Sequence, residues 1–322
     1  MTRITRRTLV AAAAALACSG AFAQPFPAKP IRMIVPFAAG SATDQIGRAF
    51  AEKIAPALGQ PVIIDNRPGV NGMLGADAVA KANPDGYTLL VGTNSTNAAL
   101  KFLMKKLPYD QDTAFAPVSF LGSVPLMVAV NNDLPVKTLR EFVDFARAKP
   151  GQVTFAYAST SQQVASEMLS SMAGIRMNAV PYKAGPAAMA DLLGGHVMMF
   201  TADLAVTAPQ YRAGKLRGLA VTSMRRVPVL PEIPTVNEAL GLKDYELIAY
   251  FAVFAPAGTP RDTINRLNQV INAAAASKDI EERFAGIGFV VEPGTPEALA
   301  RRNRVETEKW GRAIRDAKIE PQ

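Results

Sequence analysis

A loop of small and hydroxyl-bearing residues follows the first strongly apolar segment of the chain. Ile31–Val35 is apolar apart from one arginine, and Phe37-Ala38-Ala39-Gly40-Ser41-Ala42-Thr43-Asp44 comes soon after it. Small side chains let backbone N–H groups approach a ligand, and a helix beginning here would add the positive end of its dipole. This arrangement predicts an anion-binding loop, in which Asp44 either complements the dipole or accepts a hydrogen bond. The predicted contact residues are Phe37, Ala39, Gly40, Ser41, Ala42, Thr43 and Asp44.

Three later segments have a similar composition and also follow apolar stretches: Gly92–Asn97, Tyr157–Ser161 and Val180–Ala188. Their polar residues are predicted either to cap helices or to contact a ligand, and both roles are compatible. Pro186 suits the first turn of a helix. Lys183 either neutralises a carboxylate or faces solvent. The contacts predicted from these segments, together with Asp203, are Asn94, Ser95, Ser159, Thr160, Tyr182, Lys183, Ala184, Gly185, Pro186 and Ala187.

Sequence motifs for catalysis are missing. His196 is the single histidine, so a histidine zinc cluster is not available, and a structural or exposed role is the favoured interpretation of this residue. The chain has no G-x-S-x-G, G-x-G-x-x-G or P-loop motif. Its aspartates, among them Asp65, Asp77 and Asp85, show no metal-binding spacing. We expect no catalytic residue, metal or cofactor and therefore no enzyme, although carboxylates paired only in space stay open.

The first 23 residues have the pattern of a cleavable export signal. Arginines precede a short apolar stretch, Leu9–Ala17, and Ala21-Phe22-Ala23 is a typical cleavage site. Thr5-Arg6-Arg7-Thr8-Leu9 also resembles a twin-arginine signal, so both the Sec and the twin-arginine routes are open. Cys18 is the only cysteine, and Ala15 stands where a lipidation motif usually has leucine. We expect a periplasmic protein of residues 24–322 without thiolate chemistry.

Charge and hydropathy argue against two further classes of protein, those that bind nucleic acids and those that span a membrane. The formal net charge is +8, but the basic residues are scattered, without long runs or interleaved aromatics, so we expect no nucleic-acid partner. No second apolar stretch reaches the length of a transmembrane helix. A basic surface that steers anions is compatible with this composition.

Strand-like and helix-like segments alternate along the chain, which predicts an α/β fold with a mainly parallel sheet. Two units joined by two crossing strands predict two lobes with a cleft between them: 24–122 plus 250–322, and 123–249. The predicted helices are Asp44–Ala57, Gly72–Ala82, Thr138 to Ala148, Thr259–Ala276 and Thr295–Ala317. The predicted strands are Ile31–Pro36, Pro61–Ile64, Tyr87–Gly92, Val118–Leu121, Leu126–Val130, Val153–Ala156, Ala179–Pro181, Val197–Phe200, Arg217–Val221, Glu246–Ala255 and Gly288–Val291.

Ordered motifs along nearly the whole predicted mature chain resemble the periplasmic solute-binding receptors of tripartite tricarboxylate transporters, often called the Bug family. They include Lys29–Gly40, Asn66-Arg67-Pro68-Gly69, Pro84–Leu90, Ile233–Ala239 and Ala255–Pro260. The resemblance implies a two-lobed type II periplasmic-binding-protein fold that closes on a small carboxylate and docks on an inner-membrane permease. It also implies that the loops Phe37–Asp44 and Tyr182–Ala187 hold the carboxylate through amides, hydroxyls and water.

Two positions depart from the family pattern. Ser41 stands where relatives often have a second glycine, and Val164 where they often have a histidine. The particular acid therefore stays open among dicarboxylates, tricarboxylates, aromatic acids and acidic amino acids, with Asn94, Ser95, Ser159, Thr160 and Asp203 expected to set specificity. We expect a monomeric receptor without cofactor that delivers this ligand to the transporter. A receptor for a membrane sensor kinase and a periplasmic hydrolase are the alternatives.

Overall fold

The computed structural model describes residues 26–321, so the export signal predicted for residues 1–23 lies outside the described residues. The strands are β1 Ile31–Val35, β2 Val62–Asn66, β3 Thr88–Thr93, β4 Phe115–Val130, β5 Val153–Tyr157, β6 Met177–Pro181, β7 Met199–Asp203, β8 Arg217–Val221, β9 Ile248–Pro256 and β10 Val290–Val291. The helices are α1 Ala42–Leu58, α2 Met73–Ala80, α3 Leu100–Leu103, α4 Leu139–Ala148, α5 Thr160–Ala173, α6 Gly185–Leu193, α7 Leu204–Arg212, α8 Val236–Leu240, α9 Arg261–Ala275, α10 Lys278–Ala285 and α11 Pro296–Asp316. A 3₁₀ turn occupies Val70–Gly72, and a π-helix occupies Ser95–Ala99.

The strands form one continuous sheet in the order β2-β1-β3-β9-β4-β7-β5-β6, with β8 and β10 also paired to β4. Its two outer parts are parallel, since β1 pairs in parallel with β2 and β3, and β5 with β6 and β7. The centre is antiparallel, because β9 runs against β3 and β4, and β4 against β7 and β8. The prediction of a mainly parallel sheet is wrong for this centre, since the two crossing strands run in opposite directions.

The long strand β4 joins the two parts of the sheet. Its residues Phe115 to Pro125 pair with β9, and Leu126 to Val130 pair with β7 and β8. The sequence predicted two separate strands here, Val118–Leu121 and Leu126–Val130. That prediction is wrong: bulges around Pro117 and Gly122 absorb the irregular residues without ending the strand. The α/β class and two-lobed architecture are confirmed, whereas the exact lobe boundaries stay a prediction.

Burial explains why the strands read as nearly continuous apolar runs. Ile31, Met33 and Val35 of β1 are fully buried, as are Leu89 to Val91 of β3. Strands covered on both faces need apolar residues at successive positions. The apolar face of α1, including Ile46 and Phe50, packs into the same core, which fixes the start of this helix just beyond the end of β1.

The main helices occur where the sequence predicts them, and Thr138 caps α4 through its hydroxyl. The segment that forms α7 was left open between helix and loop, and the sequence patterns did not indicate α10 or the π-helix, because short helices carry little periodic signal. Over residues 26–321, the longest helices carry too many charges and too few apolar residues to cross a bilayer.

Candidate functional site

A cavity of about 520 Å³ opens at the carboxyl ends of the strands, between the two parts of the sheet. Such sheet edges are the usual ligand sites of open α/β folds. Of the predicted contact residues, those lining the cavity are Phe37, Gly40, Ser41, Ala42, Thr43, Asn94, Ser95, Ser159, Lys183, Ala184, Gly185, Pro186 and Asp203. The others, Ala39, Asp44, Thr160, Tyr182 and Ala187, lie beside it without lining it.

Hydrogen bonds made by its own residues hold the first loop, Phe37–Asp44, in its conformation. Gly40 adopts φ +82°, a left-handed conformation that favours glycine. Ser41 is the N-cap of α1, and its hydroxyl accepts from the N–H of Asp44 at 3.2 Å. The N–H groups of Ala42 and Thr43 have no acceptor within the helix, because they belong to its first turn. These two amides are therefore available to a ligand in the cavity.

The carboxylate of Asp44 connects the first loop to neighbouring residues through hydrogen bonds. Its carboxylate accepts from the N–H of Gly40 at 2.9 Å, from Arg48 Nε at 3.0 Å and from the Asn66 amide at 2.9 Å. Burial by itself would raise the pKa of Asp44, but the bonds from Arg48, Gly40 and Asn66 outweigh it and lower the pKa. The Asn66 amide also donates to the Phe37 carbonyl at 3.0 Å. Asp44 thus stays ionised and positions the loop.

The second loop, Lys183–Ala187, begins α6 without comparable support. Its N-cap is Ala184, which provides no side-chain bond to the helix amides, and Pro186 lies in the first turn. Tyr182 turns towards α6 and donates through its hydroxyl to Asp191 at 2.6 Å. Burial and this contact raise the pKa of Tyr182 to about 12. The two loops face each other, since a methyl group placed on Gly40 would lie 3.5 Å from Pro186 Cγ.

A third helix N-terminus reaches the cavity from β5. Ser159 caps α5, and its hydroxyl contacts Ser161 Oγ at 3.2 Å. The N–H of Ser161 donates to Ser95 Oγ at 3.4 Å, which links α5 to the π-helix across the cleft. Thr160 is fully buried, and its hydroxyl has no partner within the described residues. The polar residues that follow β5 therefore cap α5 and also connect the two parts of the sheet.

Asn94 connects the cavity to a crossing strand. Its amide donates to the Ile248 carbonyl at 2.9 Å and accepts from the N–H of Tyr250 at 2.9 Å. Thr222 makes a similar connection, because its hydroxyl accepts from the N–H of Leu126 at 2.8 Å and contacts the Leu247 carbonyl. Both polar ends of Asn94 are thus engaged by the backbone at the start of β9. Its position in the cavity wall is fixed by that strand.

Asp203 ends β7 and stands at the N-cap of α7, yet its side chain makes no capping bond. Burial raises the pKa of this carboxyl to about 6, while its own backbone N–H acts in the opposite direction. Among the lining residues, only Lys183 and Asp203 have ionisable side chains, and Lys183 is exposed. Within the described residues, no cluster of histidine, cysteine, aspartate and glutamate has the geometry to hold a metal ion.

Sequence reasoning missed most of the apolar wall and several amide side chains. Helical spacing from Pro186 leads to Met189 and Leu193, so the periodicity of α6 was the available signal. The remaining wall residues come from separate elements whose approach depends on the tertiary fold. Val164, by contrast, is fully buried and does not line the cavity. The missed lining residues include Gln45, Gln162, Met189, Leu193, Phe200, Val206, Gln210 and Phe251.

Comparison with known proteins gives a consistent result. Residues 46–319 match the family described as "Tripartite tricarboxylate transporter family receptor". The "UPF0065 protein in tcbD-tcbE intergenic region" of Pseudomonas sp. (strain P51) is 38% identical over 315 residues, covering 96% of this chain and 93% of that protein. Protein BugT of Bordetella pertussis is 37% identical over 297 residues, covering 91% of each chain.

Solved structures agree with this match. The periplasmic binding protein BugD has a TM-score of 0.88 at 32% identity, over 92% of this chain and 100% of BugD. R. palustris Rpa4515, solved with adipate, has a TM-score of 0.89 at 32% identity over the same shares. MatC of Rhodopseudomonas palustris, solved with malate, has a TM-score of 0.86 at 31% identity, over 90% of this chain and 100% of MatC.

Proposed function

The chain belongs to the tripartite tricarboxylate transporter receptor family, which includes the Bug proteins, and from this premise we propose that it is a periplasmic receptor for a small organic carboxylate. The solved relatives are binding proteins, and two of them were solved with dicarboxylic acids. The proposal extends to this chain the class of ligand, the export of residues 24–322 and the delivery of the ligand to an inner-membrane permease.

The observation that carries the proposal is the convergence of helix N-termini on one cavity. The first turns of α1, α5, α6 and α7 all contribute lining residues. The positive ends of the helix dipoles and the unpaired first-turn amides attract an anion. Each hydrogen bond to a charged acceptor contributes about 1.5–3 kcal/mol, so several of them bind a carboxylate without an arginine.

The two loops supply different parts of this binding. The amides of Ala42 and Thr43 and the hydroxyls of Ser41 and Thr43 act from the first loop, and the amide of Gly185, which lines the cavity, acts from the second. Because Gly40 and Pro186 face each other closely, a carboxylate between the loops draws the two lobes together. We propose lobes of 24–122 plus 250–322 and 123–249, a boundary supported by the change of pairing partners within β4 near residues 125 and 126.

Delivery to a permease follows from this coupling of ligand and shape. A permease that recognises only the ligand-bound arrangement of the lobes distinguishes loaded from empty receptor. We expect the receptor to act as a monomer, a state that sedimentation analysis checks directly. The same binding would serve a sensor kinase, so transport is tested by uptake of labelled ligand into vesicles that contain the permease, with and without the purified receptor.

The direct test compares acids with their uncharged amides. Hexanoate and hexanamide, or benzoate and benzamide, have nearly the same shape and differ in charge. At a ligand concentration about 100 times Kd, binding raises the free energy of unfolding by about 2.7 kcal/mol, which a thermal shift detects. We expect members of a wider acid panel to raise the melting temperature and the matched amides not to do so. Equal shifts from acids and amides would overturn the proposal.

The same samples test the enzymatic alternative. A receptor without catalytic groups leaves its ligand unchanged, so mass spectrometry after prolonged incubation should recover the acid quantitatively. Conversion of the acid at a rate proportional to protein concentration would indicate a hydrolase instead.

A further inference from the structure

Within the part of the chain that the structure describes, the carboxyl of Asp203 has no partner of opposite charge. The residue is buried, lines the cavity and stands at the N-cap of α7 without capping it. Burial and its own backbone N–H are what act on its pKa, so no lysine, arginine or histidine among residues 26–321 compensates for its charge. Buried carboxylates normally have hydrogen-bond partners, because an unpaired one is costly. A buried acid that lines the cavity and has, within the described residues, no hydrogen-bond donor other than its own N–H indicates that the ligand supplies a further donor.

The residues that line the cavity with Asp203 indicate the polarity of the rest of that ligand. Phe200, three residues before it, lines the cavity together with Met189, Leu193 and Phe251 from other elements. These side chains form an apolar wall that favours burial of hydrocarbon. Lys183, the other ionisable lining residue, is exposed beside the second loop and does not contribute to the pKa of Asp203.

We propose that this receptor selects a monocarboxylic acid with an apolar body that ends in a hydrogen-bond donor, a hydroxyl or an ammonium group, and that Asp203 accepts this donor. The inference rests on the proposed function, since it assumes that the two loops hold the carboxylate. It adds which acids are bound: Asp203 is the residue that determines specificity at the other end of the ligand.

A dicarboxylate fits this end of the cavity poorly. A second carboxylate beside Asp203 would place two negative charges together next to a buried acid. One of the two groups would then have to bind a proton, which weakens binding at neutral pH. A hydroxyl or ammonium group instead donates to a carboxyl whose recorded donor is its own N–H alone. Electrostatic repulsion therefore rejects diacids, and a hydrogen bond favours the donor-bearing acid.

The experiment uses acids matched in length and different only at the far end. Isothermal titration at pH 7.5 compares the diacid, the ω-hydroxy acid, the ω-amino acid and the unsubstituted acid at four, six and eight carbons. We expect the best hydroxy or amino acid to bind at least about tenfold more tightly than the diacid of equal length. A preference for the amino acid over the hydroxy acid identifies the donor as ammonium, and the reverse identifies it as hydroxyl.

Two variants assign this preference to Asp203. In Asp203→Asn the repulsion is lost, so the diacid should bind at least about tenfold more tightly than it binds the wild type. Asp279→Asn is the control, because it removes an equal charge from the surface, where Asp279 pairs with Lys53 at 3.1 Å. Asp203→Ser serves as a smaller replacement, and the ranking in the wild-type protein decides the question even if both Asp203 variants fail to fold.

Two results overturn the inference: a diacid that binds the wild type as tightly as the matched hydroxy and amino acids, or an unchanged ranking in a folded Asp203 variant. In either case the acids still bind, so the proposed function stands. If instead no acid binds at any length and neutral amides do, the proposed function itself is wrong and this inference falls with it.

Discussion

The two loops that face each other across the cavity both begin a helix there, but different interactions hold them in place. In the first loop, Ser41 caps the helix and Asp44 connects Gly40, Arg48 and Asn66. In the second loop, Ala184 leaves the helix N-terminus without a side-chain cap. The first loop is thus preorganised before any ligand arrives. In the second loop, helix amides that elsewhere bind a cap remain available to the ligand.

This difference assigns separate tasks to the two lobes. A preorganised loop loses little conformational entropy on binding, so it favours capture of the anion. If the proposed anion binds at the uncapped helix, it takes the place of the missing capping side chain and would thereby stabilise the second lobe. Under the proposed function, ligand binding is accordingly coupled to the approach of α6 towards the first loop.

The largest effect is expected from bulk at the closest approach of the loops. In Gly40→Val, the side chain would lie against Pro186, whose Cγ is 3.5 Å from the position of a Cβ, and a β-branched residue is strained at φ +82°. Calorimetry should show a loss of affinity for the best carboxylate of about 100-fold or more.

Gly59→Val is the matched control for this variant. Gly59 ends the same helix at φ +65°, and no atom lies within 4 Å of its added Cβ. Both variants should lose about 1–2 kcal/mol of folding free energy from left-handed strain, measured by chemical denaturation. If Gly59→Val loses affinity to the same degree, or Gly40→Val keeps it, contact between the loops does not govern binding.

The next effect tests whether the second loop uses uncapped amides. Ala184→Asp adds the missing cap, which should raise the free energy of unfolding by about 1 kcal/mol. The new carboxylate also occupies the amides and repels an anion, so affinity should fall about 30-fold. Ala184→Ser is the control, because it caps without charge. A protein that is stabilised by Asp and still binds its ligand normally would show that these amides do not contact the carboxylate.

A smaller effect is expected from a comparison of Asp44, which bonds the first loop, with Asp191, which accepts from Tyr182 beside the second loop. Asp44→Asn removes the charge that holds Gly40 and Arg48, and the free energy of unfolding should fall by about 1–3 kcal/mol with an affinity loss of about tenfold. Asp191→Asn, which changes the acceptor of Tyr182, should lower affinity about twofold at most. Equal losses in the two variants would contradict the difference in preorganisation.

The direction of the Asp44 pKa shift adds a pH signature. The pKa is lowered in the folded protein, so the stabilisation from Asp44 is present above its ordinary pKa of 3.8 and is lost as the pH falls through the lower folded value. Acid unfolding of the wild type should therefore become less steep in Asp44→Asn, as followed by circular dichroism.

Much of the site was predictable because small residues after apolar strands mark strand–helix junctions. Gly40, Ser41 and Gly185 were identified from residue type and position alone. The hydrogen bond from Asn66 to Asp44, which stabilises the first loop, could not be predicted in this way. These two residues come together only because β2 pairs with β1. Asn94 was predicted to contact the ligand, and this stays a prediction: the residue lines the cavity, while its amide also bonds the backbone of β9, which no local pattern reports.

The fold shows the same limit. Local patterns predicted α4, including its cap, and most strands, but they also predicted a mainly parallel sheet. The antiparallel centre comes from β4 and β9, which lie far apart in sequence and meet only through long-range pairing. Pairing direction at a crossing is a property of two distant segments, and no local spacing reports it.

The smallest effect is expected from removing the Ser41 hydroxyl. Ser41 and Ala184 are the N-cap residues of the two loops, and only Ser41 has a capping side chain. Ser41→Ala removes a cap that accepts from the N–H of Asp44, so the free energy of unfolding should fall by about 1 kcal/mol. Thr138→Ala removes an equivalent cap from α4, where the Thr138 hydroxyl accepts from the N–H of Glu141 at 3.2 Å, and should cost a similar amount. If the hydroxyl of Ser41 also donates to the carboxylate, only Ser41→Ala should lower affinity, by about threefold in calorimetry. An affinity equal to that of Thr138→Ala would restrict Ser41 to capping and leave the amides of Ala42 and Thr43 as the donors of the first loop.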